Sequence, residues 1–102
     1  MVSTADIQRA WTEKLYQEYD NVLYHFRLKL KPPVIRVAEL TGSHGLWSAL
    51  TRTLSISSFL IEKYPWDVVI EVLKHEMAHQ VVSEVFGGGP FHDADFKRAD
   101  RK

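Results

Sequence analysis

Residues 66–86 read WDVVIEVLKHEMAHQVVSEVF and contain neither glycine nor proline. Pro65, directly before them, suits the first turn of a helix, where its missing N–H costs nothing. Three glycines follow at residues 87–89 and are typical of a helix end. Val68-Val69-Ile70 alone would also fit a strand, but the length of the segment and these boundaries favour one helix throughout.

This helix is apolar around most of its circumference, which is typical of a helix inside a protein core. One side is expected to pack inward: Trp66, Val69, Ile70, Leu73 and Met77. A narrow stripe is expected to face water: Asp67, Glu71, Lys74 and Ala78. Between the two lie His75, Glu76 and His79, whose polar groups are costly to bury unless something satisfies them.

His75-Glu76-Met77-Ala78-His79 has the HExxH spacing, which favours a zinc site. Positions i and i+4 share a helix face, so both imidazoles can bind one ion. Glu76 lies about 100° further round, where it can reach a water on the metal without being the natural third ligand. The alternative is a buried helix with two hydrogen-bonded histidines and no metal.

Residues 91–96, FHDADF, follow the glycines and Pro90 and can supply a third ligand. The loop is long enough for the chain to reverse and return to the helix. His92 is the favoured ligand, because neutral imidazole suits zinc and three histidines plus water form a known catalytic set. Asp93 and Asp95 remain alternatives, either as ligands or as partners that orient an imidazole. A site without a third protein ligand also stays open.

These segments resemble the SprT-like zinc metallopeptidases, in which HExxH is followed by a third histidine and then, four residues on, an aromatic residue, here Phe96. Gly45-Leu46-Trp47 and Thr53–Ser57 resemble the hairpin that precedes the active-site helix in that family. The small size also resembles the minigluzincins. Glu84 is too close to His79 to complete a tripod, so the resemblance is to the branch with three histidines.

The resemblance implies a zinc endopeptidase with a zincin-like fold. His75, His79 and His92 would bind Zn²⁺, and Glu76 would be the general base for the attacking water. A peptide or protein substrate would lie as an extended strand along a sheet edge, for which Thr53–Ser57 is the expected strand. An oxyanion-stabilising group is also expected, and the candidates are Tyr64, His44 and His25.

Apolar periodicity and turn residues predict one α+β domain over residues 1–102. A long first helix is expected from Ser3 or Thr4 to about Lys29, with an apolar stripe of Trp11, Leu15, Tyr19, Val22, Leu23 and Phe26. A small three-stranded, mostly antiparallel sheet is expected from Val34–Ala38, Leu46–Ala49 and Thr53–Ser57. Short helices are expected at Phe59–Lys63 and, after the third histidine, at the C-terminus.

Composition narrows the function classes. The 102 residues carry a formal net charge of zero, so no broad basic field favours nucleic acid. Two small basic clusters, Arg27–Lys31 and Lys97–Lys102, are expected to be solvated surface. The chain has no cysteine, which excludes thiolate zinc sites, and it shows no signal peptide or membrane-spanning run, so a cytoplasmic protein is expected.

Two further functional hypotheses stay open beside the endopeptidase. One is a non-catalytic zinc-binding module for protein interaction. The other is a DNA-associated protease domain of a larger protein, which the neutral charge does not support. As the resemblance to the minigluzincins suggests, a terminal segment could also lie across the cleft and hold the enzyme latent, which an open zinc position near Asp93, Asp95 or Asp100 would permit.

Overall fold

A computed structural model describes residues 3–86. The elements in chain order are α1 (Thr4–Phe26), β1 (Val34–Ala38), β2 (Gly45–Ser48), β3 (Thr53–Ser57), α2 (Ser58–Lys63) and α3 (Trp66–Val85). The predicted α+β class, the long first helix and the three strands are confirmed. The predicted C-terminal helix lies outside the described residues.

Helix α1 begins with a capping box in which Ser3 and Asp6 each accept the other's backbone N–H. It ends at Phe26, earlier than the predicted Lys29. The reason is Arg27, which adopts a left-handed conformation with φ 55° and turns the chain. The N–H of Leu28 then reaches back to the carbonyl of Leu23 at 2.9 Å, as in a Schellman motif.

The predicted apolar stripe of α1 is buried at Leu15, Tyr19 and Val22. Trp11 and Leu23 are half-buried. Phe26, expected in the core, is 54% exposed, because it lies at the last residue of the helix, where the chain turns away. The core contribution of α1 therefore ends one turn earlier than the pattern predicts.

The sheet is mixed, with strand order β1-β3-β2. β2 and β3 form the predicted antiparallel hairpin, whereas β1 and β3 are parallel. The prediction of a mostly antiparallel sheet is therefore wrong for one of its two pairings. Residues 39–52 carry the chain through β2 and back before β3 begins, so β1 and β3 run in the same direction.

β3 is the central strand, so the expectation that Thr53–Ser57 forms the open edge is wrong. α1 packs along the outer side of β1. There the Tyr16 hydroxyl accepts a hydrogen bond from the N–H of Ile35 at 2.8 Å and donates one to the carbonyl of Pro33 at 3.3 Å. Within residues 3–86 no strand pairs with the outer side of β2. The open edge is therefore β2.

The core lies on one face of the sheet. Strand alternation turns Ile35, Leu54 and Ile56 to that face, where α1 and α3 cover them. From α3, Val69, Leu73 and Met77 are buried as predicted, while Trp66 and Ile70 are half-buried. In this two-layer arrangement α3 packs on the part of the sheet formed by β2 and β3.

A buried polar network holds the C-terminal half of α3. Gln80 is fully buried and accepts a hydrogen bond from the Tyr19 hydroxyl at 2.9 Å. Its amide nitrogen donates to the carbonyl of Lys31 at 3.1 Å and to Glu84 at 2.9 Å. Arg52 forms a two-point ion pair with Glu84. Glu84 thus links α3 to the hairpin loop.

None of the helices formed by residues 3–86 combines the length and apolar character needed to span a membrane.

Candidate active site

The two histidines of the HExxH segment converge on one point above α3. The Nε2 atoms of His75 and His79 are 3.3 Å apart, and the ring planes are nearly perpendicular, with centroids 4.8 Å apart. His75 is exposed and His79 is half-buried. Both rings therefore present the same nitrogen to a shared position that solvent can reach.

This separation fits zinc. Two nitrogens at about 2.0–2.1 Å from a tetrahedral ion are about 3.3–3.4 Å apart. The ring nitrogens already lie at that spacing, which also allows a direct hydrogen bond between the two rings, and imidazole is a normal zinc ligand. Among residues 3–86 no group of three metal-ligating side chains comes together. The predicted third ligand His92, and its alternatives Asp93 and Asp95, lie outside the described residues.

The side chain of Glu76, a residue of α3, lies against the start of β2, and the residue is only 7% exposed. Its neighbour across the gap is Gly45, the first residue of β2. A β-carbon on Gly45 would lie 2.9 Å from Cγ of Glu76 and 2.9 Å from Cγ1 of Val72. The absence of a side chain at Gly45 therefore lets β2 approach the predicted base closely.

A cleft of about 460 Å³ opens between β2 and α3. It brings together His75 and Glu76 with one of the predicted oxyanion-stabilising candidates, His44. Its full lining is Ser43, His44, Gly45, Val68, Glu71, Val72, His75 and Glu76. One wall is thus formed by helix α3 and the other by the start of β2, and the lining residues include two glutamates and two histidines.

The three oxyanion candidates separate in space. His44 lines the cleft, and its ring contacts the ring of Tyr64 edge-on with centroids 5.7 Å apart. Tyr64 is not part of the cleft wall and contacts Phe59 on its other side. His25 lines another hollow, which shares no lining residue with the cleft, and packs on Phe26.

The open edge of β2 begins at the cleft. The N–H of Ser57 donates to the carbonyl of His44 at 2.9 Å, so the hydrogen-bonded positions of the β2–β3 ladder are in phase with His44 and Ser57. In such a ladder the next pair, Gly45 with Ile56, is not hydrogen-bonded. Gly45 and Trp47 therefore direct their N–H and C=O groups outward, along the side of β2 that no other strand of residues 3–86 covers.

Sequence reasoning missed Gly45 as a residue of the site. Its signal was a glycine at the start of a short strand, which often marks a close backbone approach. Glu71 was predicted to face water, and it does so while also lining the cleft, one turn before His75, with its carboxylate 3.2 Å from the ammonium of Lys74. Helix periodicity does not reveal that Glu71 lines the cleft, and strand alternation does not reveal which helix residue Gly45 approaches.

No curated protein and no solved structure matches this chain. A family match does exist, and the matched residues include helix α3, the β2–β3 hairpin and the cleft between them. Because the model of the SprT-like family matches residues 9–102, the chain belongs to the SprT-like family.

Proposed function

We propose that this protein is a zinc-dependent endopeptidase. The observation that carries the proposal is the 3.3 Å separation of the His75 and His79 Nε2 atoms, beside a buried glutamate in an open cleft. Membership of the SprT-like family supports it. The spacing suits one tetrahedral ion, and the cleft leaves room for a peptide next to it.

The proposed metal ligands are His75, His79 and His92. Zinc held by these residues would supply a Lewis acid for the scissile carbonyl and would lower the pKa of the attacking water. The helix contributes geometry, because it holds two imidazoles one turn apart without any loop that would have to order first. Burial of Val69, Leu73 and Met77 keeps that helix in place.

Glu76 is the proposed general base. Its carboxylate would accept a proton from the attacking water and deliver it to the amine nitrogen as the peptide C–N bond breaks. The close approach of Gly45 and the burial of Glu76 limit where the Glu76 side chain can lie. A base with few rotamers is well suited to this task, since proton transfer requires hydrogen-bond distance to the reacting water.

The substrate is proposed to bind as an extended strand along β2. The outward N–H and C=O groups of Gly45 and Trp47 can pair with a peptide backbone, as in strand addition to a sheet edge. Because Gly45 contacts Glu76, a peptide bound there would pass the base directly. Backbone pairing of this kind places few demands on substrate sequence.

The first test compares wild type with Glu76→Gln and Glu71→Gln. Glu71 lines the same cleft, so its substitution is a matched control for loss of one carboxylate. We expect all three proteins to contain one zinc per chain by metal analysis. Wild type and Glu71→Gln should cleave β-casein, whereas Glu76→Gln should lose at least about 100-fold in rate. Zinc binding without cleavage by wild type would instead indicate a non-catalytic zinc module.

The second test concerns the third ligand. His92→Ala should lower zinc affinity strongly, while Asp93→Ala and Asp95→Ala should each retain zinc and change affinity by at most about 100-fold, the range for a residue that only orients a ligand. Zinc titration with a competing chelator measures this directly. Unchanged zinc affinity in His92→Ala, together with loss in either aspartate variant, would replace the third histidine by a carboxylate.

A further inference from the structure

We propose that His44 is a catalytic residue that donates a hydrogen bond to the scissile carbonyl oxygen as negative charge develops there. The inference rests on the proposed peptidase function and adds a named group to it. It starts from the placement of His44, a residue that lines the same cleft as His75 and Glu76.

The donors available in the cleft are few. Among residues 3–86, and apart from the proposed ligand His75, the lining residues whose side chains carry an N–H or O–H donor are Ser43 and His44. Glu71 and Glu76 are acceptors when ionised and would oppose a developing oxyanion. A neutral imidazole still carries one N–H donor, so His44 can perform this role without being charged.

The position of His44 is fixed from two sides. Its carbonyl accepts the N–H of Ser57 at 2.9 Å, which ties its backbone to the central strand β3. Its ring packs edge-on against Tyr64, which in turn contacts Phe59. Tyr64 is the C-terminal cap of α2 and immediately precedes Pro65 and α3. The elements that orient the imidazole are thus the ones that place the zinc-binding helix.

The location also suits the substrate path. His44 directly precedes Gly45, whose outward backbone groups begin the open edge of β2. A peptide paired with this edge would have its scissile carbonyl between β2 and α3, with Glu76 on the helix side and His44 at the strand end. In the reaction the water oxygen bonds to the carbonyl carbon and the C=O π electrons move to oxygen. The His44 N–H would donate a hydrogen bond to that oxygen. The negative charge on the oxygen is lost when the C=O bond re-forms and the C–N bond breaks.

The test uses full-length, zinc-loaded protein and an internally quenched peptide that spans a cleavage site mapped in β-casein. We expect His44→Ala to lower kcat by about 100-fold with KM nearly unchanged, as for the loss of one oxyanion donor. His44→Asn keeps an N–H donor and should recover part of the rate. His25→Ala is a matched control for a histidine in another hollow and should behave like wild type.

Tyr64 separates a positioning role from direct catalysis. Tyr64→Phe keeps the ring that packs on His44 and should retain wild-type kcat, whereas Tyr64→Ala should lose about 10-fold because the imidazole is no longer held. Loss of kcat in Tyr64→Phe with none in His44→Ala would overturn the proposal in favour of the tyrosine hydroxyl.

A binding measurement makes the proposal independent of turnover. A phosphinic peptide mimics the tetrahedral transition state, and His44→Ala should bind it about 100-fold more weakly while zinc content stays the same. Equal affinity with equal kcat would reject His44 and leave the peptidase proposal intact. If wild type neither cleaves the peptide nor binds the mimic, the peptidase proposal fails and the role of His44 fails with it.

Discussion

Gly45 lies against Glu76 so closely that a β-carbon built on the glycine would be 2.9 Å from Cγ and 3.1 Å from Oε2 of the glutamate. Real β-carbons do not approach so near, and the same atom would also meet Val72. Strand β2 and helix α3 therefore touch at the proposed general base, and a small residue on the strand is required for that contact.

Gly45→Ala should displace Glu76 and lower kcat by about 100-fold, because a shift of about 1 Å in a catalytic group can cost that much. Overpacking should also lower the free energy of unfolding by about 1–3 kcal/mol. Steady-state kinetics and urea unfolding measure the two effects. Leu46→Ala, which alters the opposite face of β2, should change kcat by less than about threefold. Wild-type kcat in Gly45→Ala would show that β2 does not position the base.

Peptide binding along β2 predicts an alternating response to backbone methylation of the substrate. N-methyl groups at substrate residues that pair with Gly45 and Trp47 should each raise KM by about 10-fold, since each removes about one hydrogen bond. Methylation at the intervening residues should have little effect, because their N–H groups point away from β2. A methylated peptide series measured with wild type tests this, and an even loss at every position would contradict strand pairing.

The Tyr19–Gln80 hydrogen bond predicts strong coupling in a double-mutant cycle. Tyr19→Phe leaves the buried carboxamide oxygen of Gln80 without this donor, which should cost about 1–3 kcal/mol of unfolding free energy. Gln80→Leu should cost a similar amount, and the double variant should lose clearly less than the sum. Urea unfolding measures all four proteins.

Tyr16 provides the control for this cycle, because its hydroxyl bonds to β1 and not to Gln80. Tyr16→Phe combined with Gln80→Leu should be additive within about 0.5 kcal/mol. Coupling of equal size in both cycles would mean that the effect is general loosening of α1.

The Arg52–Glu84 pair predicts an acid-dependent contribution to stability. Hydrogen bonds from Arg52 hold the pKa of Glu84 below its ordinary value of 4.5. The unfolded chain therefore binds a proton on Glu84 at higher pH than the folded protein does. The stabilising contribution is complete above about pH 4.5 and is lost as pH falls through the lower folded pKa.

Glu84→Gln removes this titration while keeping an oxygen for Gln80. Wild type should exceed Glu84→Gln by at most about 1 kcal/mol near neutral pH, because the pair is partly exposed, and the difference should shrink in acid. Urea unfolding across acid pH measures it. A constant difference at every pH would contradict the linkage. On the alkaline side, burial raises the pKa of Tyr19 above its ordinary value of 10.0. The stability that this shift contributes is complete below about pH 10 and is lost as pH rises through the higher pKa of the folded protein.

Arg27 carries a left-handed conformation that glycine adopts without steric cost, with φ 55° at the end of α1. Arg27→Gly should raise the free energy of unfolding by about 0.5–1 kcal/mol. Arg52 has a similar φ of 48°, but its side chain pairs with Glu84, so Arg52→Gly should bring no gain. Thermal unfolding of both variants tests the contrast, and a loss in Arg27→Gly would show that its side chain makes a stabilising contact.

Local features of this protein were readable from the sequence. The start of α3 at Trp66, the limits of β1 and β3, and the N-terminal cap at Ser3 agree with the structure, because caps, prolines and short-range periodicity act within a few residues. The convergence of His75 and His79 also follows from one turn of helix. The end of α1 was missed because a left-handed arginine carries no strong local signal.

The sequence by itself thus determined the elements and the paired imidazoles, since both depend on chain geometry over about one helical turn. Tertiary structure alone decided that β3 is central, that β2 is an edge strand of the sheet formed by residues 3–86, and that Gly45 and His44 meet Glu76 and His75 at one cleft. Strand order and contact across a sheet depend on which surfaces bury together. Alternation along a strand marks its inner face but leaves its neighbours undefined.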